Sequence, residues 1–269
     1  MRLFSAVFVV CFMLVSTVHS ASTPVVHERQ DWKTFFDQHD AVGTLVVLDQ
    51  RSANAVFQVY NSKRASTPYL PASTYKIPHA LFALEHGVVK DEFQVFKWDG
   101  KKRDFDVWNS DHNLRSSMRG SVVWVYQWMA QQIGEQAAKT YLEKADYGNA
   151  DPSGGKDGYW LDGNIRINAF EQISFLQKLY ANSLPFRVEH QRLVKDIIVV
   201  EAGRDWILRA KTGWEGSFGW WVGYVEWPNG PVFFALNIDT PNRIGDLPKR
   251  EAITRAVLQS MQALPATDR

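Results

Sequence analysis

The spacing of apolar positions switches between helical and strand-like along the chain. A short amphipathic helix is expected at 31–38. Two runs rich in β-branched and aromatic residues follow, Val42-Gly43-Thr44-Leu45-Val46-Val47-Leu48-Asp49 and Ala55-Val56-Phe57-Gln58-Val59-Tyr60, and the polar turn between them predicts a hairpin. From 73 to about 200 the spacing is mostly helical. Ile77, Leu81 and Leu84 recur up to Gly87, a C-cap signal, which predicts a helix over 73–86. Further helices are expected over 121–144 and over 168–183, where Phe170, Ile173, Leu176 and Leu179 make one stripe ahead of Pro185. Such a stripe is core and needs no cofactor. Strands are then expected at 206–212, 219–227 and 232–238, with Trp227-Pro228-Asn229-Gly230 as the turn between the last two, and a final helix at about 247–263. Strands at both ends with helices between imply an α/β sheet assembled from distant segments, with a helical lobe inserted at about 90–195. A cleft between the lobes is the expected place for a site.

The first twenty residues change the compartment. Arg2, an apolar run from Leu3 to Val15, and the mostly small residues around Ser20 and Ala21 form a secretory signal peptide. The run is too short for a span, which needs roughly 20 apolar residues. Cleavage near Ser20 leaves a single domain over 21–269, with no linker, repeat or low-complexity tract to divide it. The only cysteine, Cys11, lies in the leader, so the exported chain has no disulfide. Removing Arg2 leaves 29 basic against 29 acidic residues, and this neutrality points to neither a nucleic-acid nor an anionic-membrane partner. Oligomeric state is not encoded in these patterns.

Candidate chemistry begins at Pro71-Ala72-Ser73-Thr74-Tyr75-Lys76. Positions i and i+3 share a helix face, so Ser73 and Lys76 could be a nucleophile and its base, or a capping serine beside an unrelated lysine. Chance supplies about one S-x-x-K in a chain of this length. A second copy, Ser153-Gly154-Gly155-Lys156, lies in a glycine-rich turn with nothing to hold the pair together. Lys211-Thr212-Gly213 stands at the end of a predicted strand. There is no H-E-x-x-H, C-x-x-C or G-x-S-x-G, and the seven histidines lack ligand spacing, which argues against a zinc hydrolase. Ser110-Asp111-His112 is triad-like only on paper, because triad members converge from separate segments. Pro78, read as a helix-interior residue, should distort the first turn.

S-x-x-K followed by K-T-G resembles the penicilloyl-serine enzymes, the penicillin-binding proteins and serine β-lactamases. Ser121-Val122-Val123, Tyr147-Gly148-Asn149, Trp160-Leu161-Asp162-Gly163, Lys211-Thr212-Gly213-Trp214 with Gly219-Trp220-Trp221, and Leu247-Pro248-Lys249-Arg250 stand in the order found in the class D β-lactamases, the oxacillinases. The match spans about 40–255. S-x-V alone carries nothing, since Ser5-Ala6-Val7 and Ser16-Thr17-Val18 also fit it.

The resemblance implies a mixed α/β sandwich with a mostly antiparallel sheet, in a periplasmic enzyme that hydrolyses penicillin-type β-lactams through an acyl-serine. Ser73 would be the nucleophile. Lys76 would be N-carboxylated by carbon dioxide or bicarbonate to act as general base, with no metal and no organic cofactor. Trp160 would hold the carbamate and Val123 would keep the pocket dry. Backbone N–H groups of Ser73 and Trp214 would form the oxyanion hole, and such donors are typically worth about 3 to 4 kcal/mol each. Lys211, Thr212 and Arg250 would take the substrate carboxylate, with Gly213 beside them and Arg243 as Arg250's competitor. Ser121 would shuttle a proton to the leaving nitrogen. Tyr147, Gly148 and Asn149 are expected to be mainly structural, and Trp108 and the 214–218 turn to border the cleft. The alternatives are a β-lactam sensor or penicillin-binding protein that acylates without efficient turnover, and a peptidoglycan peptidase.

Overall fold

Seven strands carry the fold in a computed structural model that describes residues 26–53 and 55–266. They are β1 (Val26–Glu28), β2 (Gly43–Asp49), β3 (Phe57–Tyr60), β4 (Val199–Ala202), β5 (Ile207–Trp214), β6 (Phe218–Trp227) and β7 (Gly230–Asp239). The sheet order is β1-β3-β2-β7-β6-β5-β4, and every pairing is antiparallel except β1 with β3. β2 pairs along its length with β7, Val46 opposite Ala235, so the two ends of the chain meet in mid-sheet. Trp227 faces Gly230 across the two-residue loop Pro228-Asn229. The signal peptide and Cys11 lie outside the described residues.

β6 and β7 read as unbroken apolar runs because both faces of the sheet are covered. With a side-chain period of two, Trp220, Val222 and Tyr224 point to one face and Trp221 and Val225 to the other. The first face joins the core under the helical region. The second packs with Ile253, Val257 and Leu258 of the Leu247–Ser260 helix and with Trp32 and Phe36 near the N-terminus. Burying each such side chain stabilises the fold by about 1.5–3 kcal/mol. The Ala169–Tyr180 helix starts at a reciprocal cap, Glu171 N–H donating to Asn168 Oδ1 (3.0 Å) and Asn168 N–H to Glu171 Oε2 (2.8 Å), and lays Ile173, Leu176 and Leu179 over β6 and β7.

Several elements differ from the sequence-based expectation. The helix expected over 121–144 is two helices, Val123–Ile133 and Glu135–Ala145. Gly134 between them has φ 75° and ψ 157°, which side-chain-bearing residues avoid, and Ser121 at φ 52° stays outside the first. The apolar rhythm runs through the break because both pieces bury their apolar positions in one core. The 73–86 helix begins as a 3-10 turn, Ala72–Tyr75, and becomes α-helical at Lys76–His86. Pro78 is therefore third in the α-helix, where the missing N–H lies among those that have no intrahelical partner anyway. β1, β4 and the Val188–Ile197 helix had no separate expectation. β1 and β4 are only three and four residues long, too short for a periodic signal.

Candidate active site

The turn carrying Ser73 is held from several sides. Ala72 sits at φ 48°, strained for a residue with a side chain. Thr74 Oγ1 donates to the Pro71 carbonyl (2.6 Å) and accepts from Gln172 Nε2 (2.9 Å), and the Tyr75 and Tyr159 hydroxyls are 2.7 Å apart. Into this rigid frame Lys76 brings Nζ to 2.6 Å from Ser73 Oγ. Ser73 is 9% exposed and Lys76 completely buried, its Nζ 5.2 Å from the Tyr126 ring centroid. Burial, with the nearby Lys211 charge adding to it, holds the Lys76 amine well below the ordinary lysine range.

β5 brings the K-T-G residues alongside. Lys211 Nζ donates to Ser121 Oγ (3.0 Å) and to the Thr212 carbonyl (2.9 Å), tying the strand to the helical region across 90 positions of sequence. Burial, with the Arg250 charge adding to it and Glu251 opposing, lowers its pKa to about 7. A side chain at Gly213 would put Cβ 3.0 Å from the Pro71 carbonyl oxygen and 3.1 Å from Thr74 Cγ2, so glycine there lets strand and serine turn touch. β4 pairs with β5 only as far as Arg209, and Ala210 N–H reaches the Ile198 carbonyl on that same side. By the period of two, the N–H of Trp214 points the same way, beyond the end of β4.

Arg250 and Arg243 both reach the cleft but are held differently. Arg250 is 8% exposed and spends two donors on backbone, Nε to Leu247 O (2.8 Å) and one terminal nitrogen to Gly213 O (2.7 Å); burial lowers it to about 10, still charged at neutral pH. Gly219 makes room for it, since a Cβ there would lie 2.7 Å from Arg250 Cδ. Arg243 is exposed and stacks its guanidinium 5.4 Å from the Trp214 ring centroid.

Ser73, Ser121, Thr212, Arg243 and Arg250 line one cleft of about 330 Å³ together with Trp108, Val123 and Leu161. Lys76 and Lys211 lie behind it, joined to it through Ser73 and Ser121. Trp108 is anchored by Nε1 donating to Gly120 O (2.9 Å). Trp160 is fully buried, stacked on Tyr75 at 5.8 Å, and its Nε1 has no hydrogen-bond partner. No sequence motif singled out Tyr126, His79, Phe105 or Val107, which the fold brings to the site. His79 alone had a signal, since it continues the spacing of Ser73 and Lys76 by three more residues.

The decoys resolve elsewhere. Ser153 Oγ accepts from Asn164 Nδ2 (3.0 Å), and Lys156 is exposed. Asp111 binds Lys97 and the Trp98 N–H, while His112 contacts Ser116 and the Val107 carbonyl. Tyr147-Gly148-Asn149 forms a clasp in which Asn149 accepts from Arg166 N–H (2.8 Å) and donates to Asn164 O (2.9 Å). Among the described residues there is no cluster of His, Cys, Asp or Glu able to hold a metal, and no helix long and apolar enough to cross a membrane.

Comparison with known proteins agrees over nearly the whole chain. The family described as "Penicillin binding protein transpeptidase domain" matches residues 43–259. Beta-lactamase OXA-20 of Pseudomonas aeruginosa is 62% identical over 98% of this chain and 96% of its own. Beta-lactamase OXA-2 of Salmonella typhimurium is 58% identical over 98% and 95%. Among solved structures, the class D β-lactamase FUS-1 (OXA-85) of Fusobacterium nucleatum subsp. polymorphum superposes with a TM-score of 0.84 at 36% identity, covering 88% of this chain and all of that one. Kinship this close, over both the sheet and the helical region that meet at Ser73, places the chain in the class D β-lactamases, within the penicillin-binding transpeptidase family.

Proposed function

We propose that this β-lactamase is exported to the periplasm and opens penicillin-type β-lactams through an acyl-enzyme on Ser73, with Lys76 carboxylated by carbon dioxide. The observation that carries the reading is the 2.6 Å contact between Ser73 Oγ and a wholly buried Lys76 Nζ. An ordinary lysine, with a pKa of about 10.4, is charged and unreactive at neutral pH. Burial makes the neutral amine available, the form that reacts with carbon dioxide. Trp160 Nε1, a buried donor without a partner, is the residue that would hold the product, and Val123 would keep water away from it. That modification supplies a carboxylate-type base at the end of the lysine stem.

Ser73 Oγ bonds to the lactam carbonyl carbon while its proton leaves on the Lys76 side. Developing charge on the carbonyl oxygen is met by the backbone N–H groups of Ser73 and Trp214. Lys211, Thr212 and Arg250 bind the substrate carboxylate, with Arg250 offering the planar fork that a lysine lacks. As the C–N bond breaks, Ser121, hydrogen-bonded to Lys211, passes a proton to the nitrogen. Water then bonds the carbonyl carbon of the Ser73 ester and loses a proton on the Lys76 side; the bond from that carbon to Ser73 Oγ breaks, Oγ takes a proton back, and the ring-opened product leaves as a carboxylate.

Brief mixing with a penicillin, followed over time by mass spectrometry, tests this. Expected is a penicilloyl adduct on Ser73 that appears and is cleared, with many turnovers per enzyme. An adduct that persists after one equivalent would show a sensor or penicillin-binding protein instead. Export is checked by N-terminal sequencing of periplasmic protein, with cleavage expected near Ser20.

A further inference from the structure

Ser73, Lys76 and His79 follow one another at a spacing of three, and the last two lie on one face of the Lys76–His86 helix. The His79 ring is completely buried, and neither Nδ1 nor Nε2 has a hydrogen-bond partner. It stands edge-on to Trp160, with centroids 5.0 Å apart and planes at 66°, and lies 5.2 Å from Tyr75 and 5.6 Å from Tyr126, whose ring centroid is 5.2 Å from Lys76 Nζ. Burial, reinforced by the Lys76 charge, holds the imidazole at a pKa of about 3, so it is neutral, with one N–H and one bare nitrogen. A phenylalanine or leucine would fill this volume without stranding polar atoms, and a stranded buried polar group calls for a role. Trp160 Nε1 is stranded in the same way, and the two rings are in contact.

We propose that His79 is a positioning residue for the carbon dioxide adduct of Lys76: its ring holds the Trp160 indole in place, and its N–H is a second donor to the carboxylate formed on the lysine. The inference rests on the carboxylated-lysine reading and adds a residue to it. In the loading step the Lys76 nitrogen lone pair bonds the carbon of carbon dioxide, one C=O electron pair becomes carboxylate charge, and one amine proton leaves to solvent. Nothing is oxidised or reduced.

The test is a titration with 13C-bicarbonate of wild type, His79→Phe and His79→Asn, read by the carbamate resonance, with a melting curve for each. His79→Phe keeps the ring contact and loses the N–H; its half-loading bicarbonate concentration should rise about fivefold, the worth of one ordinary hydrogen bond. Its melting temperature should hold or rise, because no polar atom is left unpaired. His79→Asn keeps a donor and should load better than His79→Phe. If the phenylalanine variant does not fold, the smaller His79→Leu carries the same expectation. A His79→Phe or His79→Leu enzyme that loads like wild type overturns the proposal and leaves His79 a packing residue. A wild type with no carbamate resonance overturns the lysine reading itself, and this inference with it.

Discussion

At the scale of single residues, the site depends on charges that burial has altered. Lys76 touches Ser73 Oγ from a pocket in which its charged form is disfavoured. On the proposed mechanism, Lys76→Ala removes both the proton acceptor and the seat of the carboxylate. General bases contribute about 10²–10⁴-fold, and kcat of Lys76→Ala should fall by about 10³ or more while acyl-Ser73 accumulates in the mass spectrum. The two arginines separate in the same way. A hydrogen bond to a charged group is worth about 1.5–3 kcal/mol, so Arg250→Ala should lose about 10- to 100-fold in kcat/KM, mostly through KM. Arg243, exposed and stacked on Trp214, should cost under about threefold when replaced by alanine, as a rim charge does. The reverse ranking would move the carboxylate contact to Arg243. Ser73 and Lys76 were legible as a candidate pair because helical spacing alone puts them on one face. The 3.0 Å approach of Lys211 to Ser121 was not, because it joins residues 90 apart whose meeting is set by how β5 lies against the helical region.

At the scale of elements, glycines mark where segments close on one another. A Cβ at Gly148, which has φ 54°, would lie 2.0 Å from the Arg166 carbonyl oxygen, the backbone that Asn149 clasps. Gly148→Ala combines backbone strain with overpacking, and should destabilise by about 1–3 kcal/mol in denaturant melts. Because Tyr147-Gly148-Asn149 is a clasp, kcat of the folded fraction should change far less than stability. Gly134 differs in that a Cβ there meets nothing within 4 Å, so only its φ and ψ forbid a side chain. That distinction explains the misread helix over 121–144. Apolar spacing reports which positions are buried, and two helices that bury theirs in one core across a glycine look like one.

At the scale of the whole molecule, two buried lysines beside Ser73 and Ser121 are depressed, and folding inherits their titration. Lys211 has a pKa of about 7 in the native chain, against about 10.4 when unfolded. Between those values the unfolded chain binds a proton that the native chain does not, so this residue makes stability rise with pH, and its full burial penalty applies below about pH 7. Lys76 acts in the same direction. At fixed bicarbonate, Lys211→Met should therefore gain less unfolding free energy than wild type between pH 7 and 9; an equal gain would locate the dependence elsewhere. The chain's local order was written in its residues: periods of two and 3.6 placed the β2–β3 and β6–β7 hairpins and the Ala169–Tyr180 helix, and the order of short motifs pointed to the enzyme class. Those signals act over a few residues, where backbone geometry dictates which side chains share a face. Only the folded structure decided that β2 closes against β7, that β5 runs bare past the end of β4 beside Ser73, that Arg250 is tied to Gly213, and that His79 and Trp160 meet with their nitrogens unpaired. Each of these is a contact between distant segments, fixed by how two covered sheet faces and a helical region pack, and no local period encodes it.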